Sequence, residues 1–181
     1  MTKPTIVFTP GAWHSPVCYA AVASLLQAAG YVHQPPSSLL NIAIADILPP
    51  RYPTIFVPLP SVDAPIAVQS LDDDVKAIRK AIIGATSRNQ DVVVFCHSYS
   101  GVPASQAVEN LGKGGKDTVG KGGVVLLFYC TAFVLPINTS LLDGLGGNHP
   151  PWTRREVSSK YLLQTWRMKL TSSSRVTICS R

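Results

Sequence analysis

The stretch DVVVFC-HSYSG-VPASQAV, residues 91–108, limits this chain's possible folds more than any other. Asp91–Cys96 is apolar on both faces, as a central strand of a parallel sheet requires. Val102–Leu111 reads as a helix that follows at once. Ser98 therefore falls at a sharp strand-to-helix boundary. A nucleophile elbow needs small residues two before and two after its serine, because the turn is strained and packs tightly on its neighbours. Cys96 and Ser100 fill those places, and Gly101 follows. The motif is a G-x-S-x-G with Cys and Ser where Gly is usual. Two readings stand at this point: Ser98 is a nucleophile, or it is a plain helix N-cap, a common use of serine in a βα turn.

The rest of the chain repeats the same rhythm. Pro4–Thr9 is a short apolar, β-branched run that reads as a buried strand, ended by Pro10-Gly11. Ser15 and Pro16 open a helix as N-cap and first residue, Val17–Ala29 is apolar all round, and Gly30 closes it. Tyr52–Pro58 is a second strand. Leu71–Ala85 is the clearest helix. Asp72, Asp73 and Asp74 load its first turn and Lys76, Arg79 and Lys80 follow, which suits the macrodipole. Val75, Ile78, Ile82 and Ile83 supply its inner face. Val124–Tyr129 reads as a further central strand. This alternation predicts an α/β fold of three layers, with a parallel central sheet between helices.

Two segments break the rhythm. Val32–Arg51 is Pro-rich at both ends and lengthens a connection that is normally a few residues. It reads either as an ordinary surface insertion or as a retained intron. In the second case Gly30-Tyr31 would join Pro53 onward. The tail after about Arg155 has no clear period and no caps, and reads as a shifted frame or alternative exon. Both segments are expected to pack poorly and to supply no central strand. Residues 1–153 thus form one partial domain interrupted by 32–51, and 154–181 an atypical basic tail. The Gly/Lys stretch Gly112–Gly123 is a loop without the spacing of a phosphate-binding loop.

Composition narrows the function classes. The chain has 181 residues, 46% hydrophobic and 14% charged, which suits one globular domain. Its net charge of +6 lies entirely in residues 154–181, where seven Lys/Arg face Glu156 alone. A basic tail without a matching folded face argues against nucleic acid as a partner. Cys18, Cys96, Cys130 and Cys179 form no CxxC and fit no zinc pattern; the first three sit in apolar runs and read as buried free thiols. No signal peptide opens the chain and no apolar run reaches bilayer length, so a cytoplasmic protein with no membrane partner is the default. No oligomeric state follows from the sequence.

A second chemical site lies in FTPGAWHS, Phe8–Ser15, directly after the first strand. Acyl transfer needs two N–H donors aimed at the developing oxyanion. The Tyr99 backbone N–H, at a helix start, supplies one. The backbone N–H of Ala12, or that of Trp13, supplies the other. The plainer alternative is a simple βα turn with Trp13 packed as core.

Taken in order, PTIVFTPGAWHSP, LPSV (59–62), the DDDVKAIRKAI helix, VVVFCHSYSGVPASQAV and GGVVLLFYCTAFVLP resemble a family of single-domain α/β-hydrolases of fungi and bacteria. These are similar in layout to plant methylesterases and hydroxynitrile lyases. The resemblance covers about residues 3–152 without 32–51. It implies an α/β-hydrolase fold with its last strands missing, Ser98 as nucleophile, and Ala12 as an oxyanion donor beside Tyr99. It also implies a pocket lined by Gly11, Trp13 and His14. Ser100 departs from the family's glycine. After Ser98 the acids are Glu109, Asp117, Asp143 and Glu156 and the one histidine is His149. The resemblance places His149 and Asp143 in the approach to a lid, outside the triad, and His97 is expected to point to the other side of the elbow and pack there. The implied function is hydrolysis of a small ester or amide through a Ser98 acyl-enzyme, without metal or cofactor and impaired by loss of the triad histidine. The alternatives are lyase chemistry on the same scaffold and an inactive, ligand-binding remnant.

Overall fold

In a computed structural model, residues 3–34, 52–62, 70–149, 151, 153–158, 163–168 and 175–177 are described. The elements run β1 (Thr5–Thr9), a 3₁₀ turn (Pro16–Tyr19), α1 (Ala20–Ala28), β2 (Tyr31–Gln34), β3 (Tyr52–Phe56) and α2 (Asp72–Thr86). They continue with β4 (Val92–His97), a 3₁₀ turn (Ser98–Ser100), α3 (Gly101–Ala107), β5 (Val124–Cys130) and α4 (Leu141–Gly144). β6 (Thr153–Ser158), β7 (Leu163–Met168) and β8 (Arg175–Thr177) follow. β1 to β5 form a five-stranded sheet in the order β2-β3-β1-β4-β5. All its pairings are parallel.

Side-chain alternation divides the core. Val7 of β1 lies beside Val94 of β4, and both are fully buried on the face that receives α2. α2 presents Ile78 and Ile82, both 0% exposed, so each contributes about 2–3 kcal/mol of burial. Ala104 and Ala107 of α3 join the same cluster. One residue on along the strands, the parity reverses. Phe8, flanked in register by Phe56 and Phe95, packs with Tyr19 on the opposite face, against Ala23 and Leu26 of α1. These are the expected three layers.

Several expectations need correction. The segment 32–51 begins inside the sheet: Val32, His33 and Gln34 belong to β2 and pair with Pro53, Thr54 and Ile55. A four-residue strand is too short to show in a Pro-rich surround, but it needs only a paired neighbour to form. It lies at the sheet edge, so the segment supplies no central strand; residues 35–51 lie outside the described residues. β5, expected as a central strand, is an edge strand: among the described residues no strand pairs along its outer side, where an isolated bridge joins Val124 to Gly112. The tail is not featureless either: β6, β7 and β8 form a separate antiparallel sheet. Its strands carry no hydrophobic alternation, which is why periodicity did not reveal them. Finally, Cys18 is exposed, because the 3₁₀ turn at Pro16–Tyr19 buries Tyr19 and leaves Val17 and Cys18 outward. Cys96 is buried and Cys130 half-buried; Cys179 lies outside the described residues. Among the described residues no helix is long and apolar enough to cross a membrane.

Candidate active site

Register alone brings the two chemical segments together. Thr9 lies beside Cys96 in the parallel β1–β4 pair. Two residues further along each chain stand Gly11 and Ser98, at the end of the sheet where the strands deliver their C-termini. Adjacent strand ends of this kind are where open α/β sheets bind ligands. The approach is close: a Cβ built on Gly11 would lie 3.0 Å from the Ser98 Cβ and 3.0 Å from His97 Nδ1. Only glycine lets the loop come this near.

Ser98 has the backbone of an elbow. Its φ is +54°, in the left-handed region that costs a non-glycine residue about 1–2 kcal/mol. The surroundings hold it there. The Ser98 carbonyl accepts a hydrogen bond from the Phe133 N–H at 3.0 Å, so the loop after β5 backs onto the turn. Gly101 makes this contact possible, since a Cβ at that position would sit 2.2 Å from the Phe133 carbonyl oxygen.

Ser100, which takes the place of a glycine, is also accounted for. It is fully buried, and its hydroxyl accepts from the His97 N–H (2.9 Å) and from the Thr9 hydroxyl (2.9 Å). Its one proton is shared between the Thr9 carbonyl (2.8 Å) and the His97 carbonyl (3.0 Å). The added hydroxyl ties the elbow to the end of β1. Cys96, the other small residue, is fully buried, and burial pushes its thiol up to about 11; it is a packing residue.

The loop after β1 is a tight turn. The His14 N–H donates to the Gly11 carbonyl (3.2 Å), and Trp13 has φ +62° at the third position, as a type II turn requires. Gly11 and Ala12 are buried; Trp13 and His14 are half-buried. The His14 Nδ1 lies 2.7 Å from the Ala12 carbonyl oxygen. A carbonyl only accepts, so Nδ1 carries a proton.

His97 does not turn away from the site. Its imidazole meets that of His14 edge to face, with ring centroids 5.9 Å apart, and its Nδ1 borders Gly11. Burial, and then the neighbouring charge of His14, lower the His97 pKa below the ordinary histidine value. The reason is steric: with Cys96 turned into the core, alternation sends the next residue of β4 to the opposite face. Asp143 and His149 stand apart. Ser140 caps α4 and Asp143, at its third position, completes a capping box with it; the Ser140 hydroxyl holds the Asp143 carboxyl below the usual range. His149 is exposed beyond α4.

Three buried polar residues near the site were not singled out from the sequence: Thr9, Ser61 and Asp74. Asp74 is fully buried and accepts from the Ser61 N–H (2.9 Å), the Ser61 hydroxyl (2.6 Å) and the Tyr99 hydroxyl (2.8 Å). A signal existed. Asp74, Ile78 and Ile82 are spaced i, i+4, i+8, so the acid lies on the buried stripe of α2.

Among known proteins, the alpha/beta hydrolase family model matches residues 6–177. The chain is 33% identical over 160 residues to a protein of Aspergillus novofumigatus named alpha/beta hydrolase nvfD, covering 88% of this chain and 53% of that protein. It is 30% identical over 147 residues to a protein of a Phoma species named probable hydrolase R7, covering 81% of this chain and 50% of that one. The chain thus spans about half the length of the curated relatives it matches.

Proposed function

The chain belongs to the alpha/beta hydrolase family, and on that premise we propose that its site hydrolyses a small ester or amide through an acyl-enzyme on Ser98. The observation that carries this reading is the left-handed Ser98 between β4 and α3, with the Gly11 turn pressed against it. Ser98 Oγ attacks the substrate carbonyl carbon and loses its proton to a base. The carbonyl oxygen becomes an oxyanion and receives the Tyr99 N–H and the N–H of Ala12 or Trp13. Collapse expels the alcohol or amine, which takes up a proton. Water then attacks the acyl carbon, releases the acid and restores the serine. No step calls for a metal or cofactor.

The base decides the rate. A serine hydroxyl is almost fully protonated at neutral pH and needs a base within about 3 Å. His149 follows Ser98 in the chain but stands exposed beyond α4. The site is carried by residues 1–153, with 154–181 as a separate basic segment, and the 181 residues alone turn over esters weakly.

Fluorophosphonate labelling with peptide mapping tests the nucleophile. Slow labelling confined to Ser98, and abolished in Ser98→Ala, is expected. Turnover of a nitrophenyl ester should stay near the level of a site without its base, roughly 10³–10⁴-fold over water; that residual comes from the oxyanion donors and binding, bypasses the acyl-enzyme and should change little in Ser98→Ala. Labelling elsewhere, or none, overturns Ser98 as nucleophile. Fast turnover that collapses in Ser98→Ala keeps the nucleophile and overturns the impairment.

A further inference from the structure

Asp74 is a buried carboxylate that the acyl-transfer steps leave unused. Taking it out of water is costly, and such groups persist where every lone pair is answered. Here three donors answer it, and its place in the first turn of α2 adds the favourable end of the helix dipole. An apolar trio would fill this space without that cost. What the polar trio adds is direction. The Ser61 N–H and hydroxyl hold both carboxylate oxygens, and the second oxygen then receives the Tyr99 hydroxyl. Tyr99 is buried to 4% exposure, and burial and the nearby Asp74 charge raise its pKa, keeping the phenol a donor.

Tyr99 is also the residue whose N–H faces the developing oxyanion. That N–H shares one planar peptide with the Ser98 carbonyl, and the two point in opposite directions. The Phe133 N–H fixes the carbonyl end of this peptide. Asp74 fixes the far end of the Tyr99 side chain. The peptide is therefore held at both ends.

We propose that Asp74, oriented by Ser61, is a positioning residue that aims the Tyr99 N–H at the oxyanion by holding the Tyr99 hydroxyl. The inference rests on the reading of Ser98 as nucleophile and Tyr99 as oxyanion donor.

The test uses the full chain and the variants Asp74→Asn, Tyr99→Phe and Ser61→Ala, with Asp73→Asn as a half-exposed neighbour on the same turn. Three readings are taken: the phosphonylation rate of Ser98 split into its binding and chemical parts, amide hydrogen exchange, and the urea midpoint. Tyr99→Phe and Asp74→Asn should slow the chemical part about ten- to hundredfold, as a displaced donor does, with binding within about twofold. The double variant should be no slower than either single one. Exchange should rise at residues 98–101 and stay unchanged across α2, and Asp73→Asn should alter nothing. An unchanged chemical rate with a lowered urea midpoint, or exchange rising as much across 72–86 as at the elbow, overturns the proposal and leaves a purely structural contact. Should Asp74→Asn fail to fold, Tyr99→Phe, which removes only the hydroxyl, decides. Should the unaltered chain not label at Ser98, the nucleophile reading fails by itself, and the exchange pattern still decides whether Asp74 holds the elbow.

Discussion

β4 and β5 are written in the same language and live in different surroundings. VVVFCH and VVLLFYC are both continuous apolar runs. β4 lies between β1 and β5, and every second residue, Val92, Val94 and Cys96, is fully buried. β5 is the edge strand, its ladder is interrupted by a bulge opposite Val92/Val93, and Val125, Leu126 and Phe128 are 46%, 51% and 49% exposed. An apolar run reports that a strand suits cover on both faces; whether neighbours supply it is a tertiary matter. For the site, the consequence is asymmetry. The elbow is fastened from the β1, β4 and α2 side by Thr9, Ser100, Ser61 and Asp74. From the β5 side it receives the Phe133 N–H and the close packing at Gly101.

A charge should break this comparison most sharply. Val94→Asp would bury an acid among Val7, Ile78 and Ala104, a cost of several kcal/mol and a large part of a typical domain's stability. Phe128→Asp, on a half-exposed ring stacked on Phe95, should cost about 1–2 kcal/mol. Urea denaturation of the two variants would show a lost or collapsed transition for the first and a modest shift for the second. Equal effects would mean that β5 is covered in solution.

The two sides meet at Gly101, and the next test measures how tightly. In Gly101→Ala the new methyl meets the Phe133 carbonyl at 2.2 Å, so backbone must move, at about 3 kcal/mol or more. Gly146→Ala has open space around it but φ +73°, and should cost about 1 kcal/mol from backbone strain alone. A urea midpoint for Gly101→Ala no lower than for Gly146→Ala would show that the loop after β5 gives way easily, and the asymmetry would be sharper still.

Legibility in the sequence followed the same divide between local pattern and tertiary circumstance. β1, β3, β4, α1, α2 and α3 each announce themselves through periodicity and punctuation. So does the elbow, because Ser98 falls where an apolar strand meets a helix. β2 does not, since its four residues run into a Pro-rich stretch; β6 to β8 do not, since their strands lack alternation. Asp74 was legible only halfway. Its spacing with Ile78 and Ile82 places it on the inner face, but Asp72 and Asp73 beside it make all three look like solvated dipole partners. Ser61 gives no signal, because the fold alone brings the turn after β3 to the start of α2. The direction of His97 depends on which β4 residues face α2, and a strand apolar on both faces hides that parity.

The smallest expected effect is an acid dependence confined to the elbow side. The His97 pKa is lowered, first by burial and then by the charge of His14, from a value of 6.5. Well above pH 6.5 the ring is neutral in both folded and unfolded chains and contributes nothing. As the pH falls below 6.5 the unfolded chain takes up a proton that the folded chain still refuses, so stability falls with pH. The loss stops growing once the folded ring also protonates. Because the ring is partly open to solvent, the effect is a small one. Asp143 does not intrude, since a carboxyl lowered from 3.8 acts only in more acid solution. Urea midpoints between pH 7.5 and 5 should therefore decline, flatten in His97→Gln, and flatten only partly in His14→Gln, where burial of His97 persists. Amide protection, corrected for the intrinsic pH dependence of exchange, should fall at 97–101 before it does at 124–130 of β5. A midpoint that stays level or rises toward pH 5, or a decline unchanged in His97→Gln, would remove the two imidazoles from the account of the elbow.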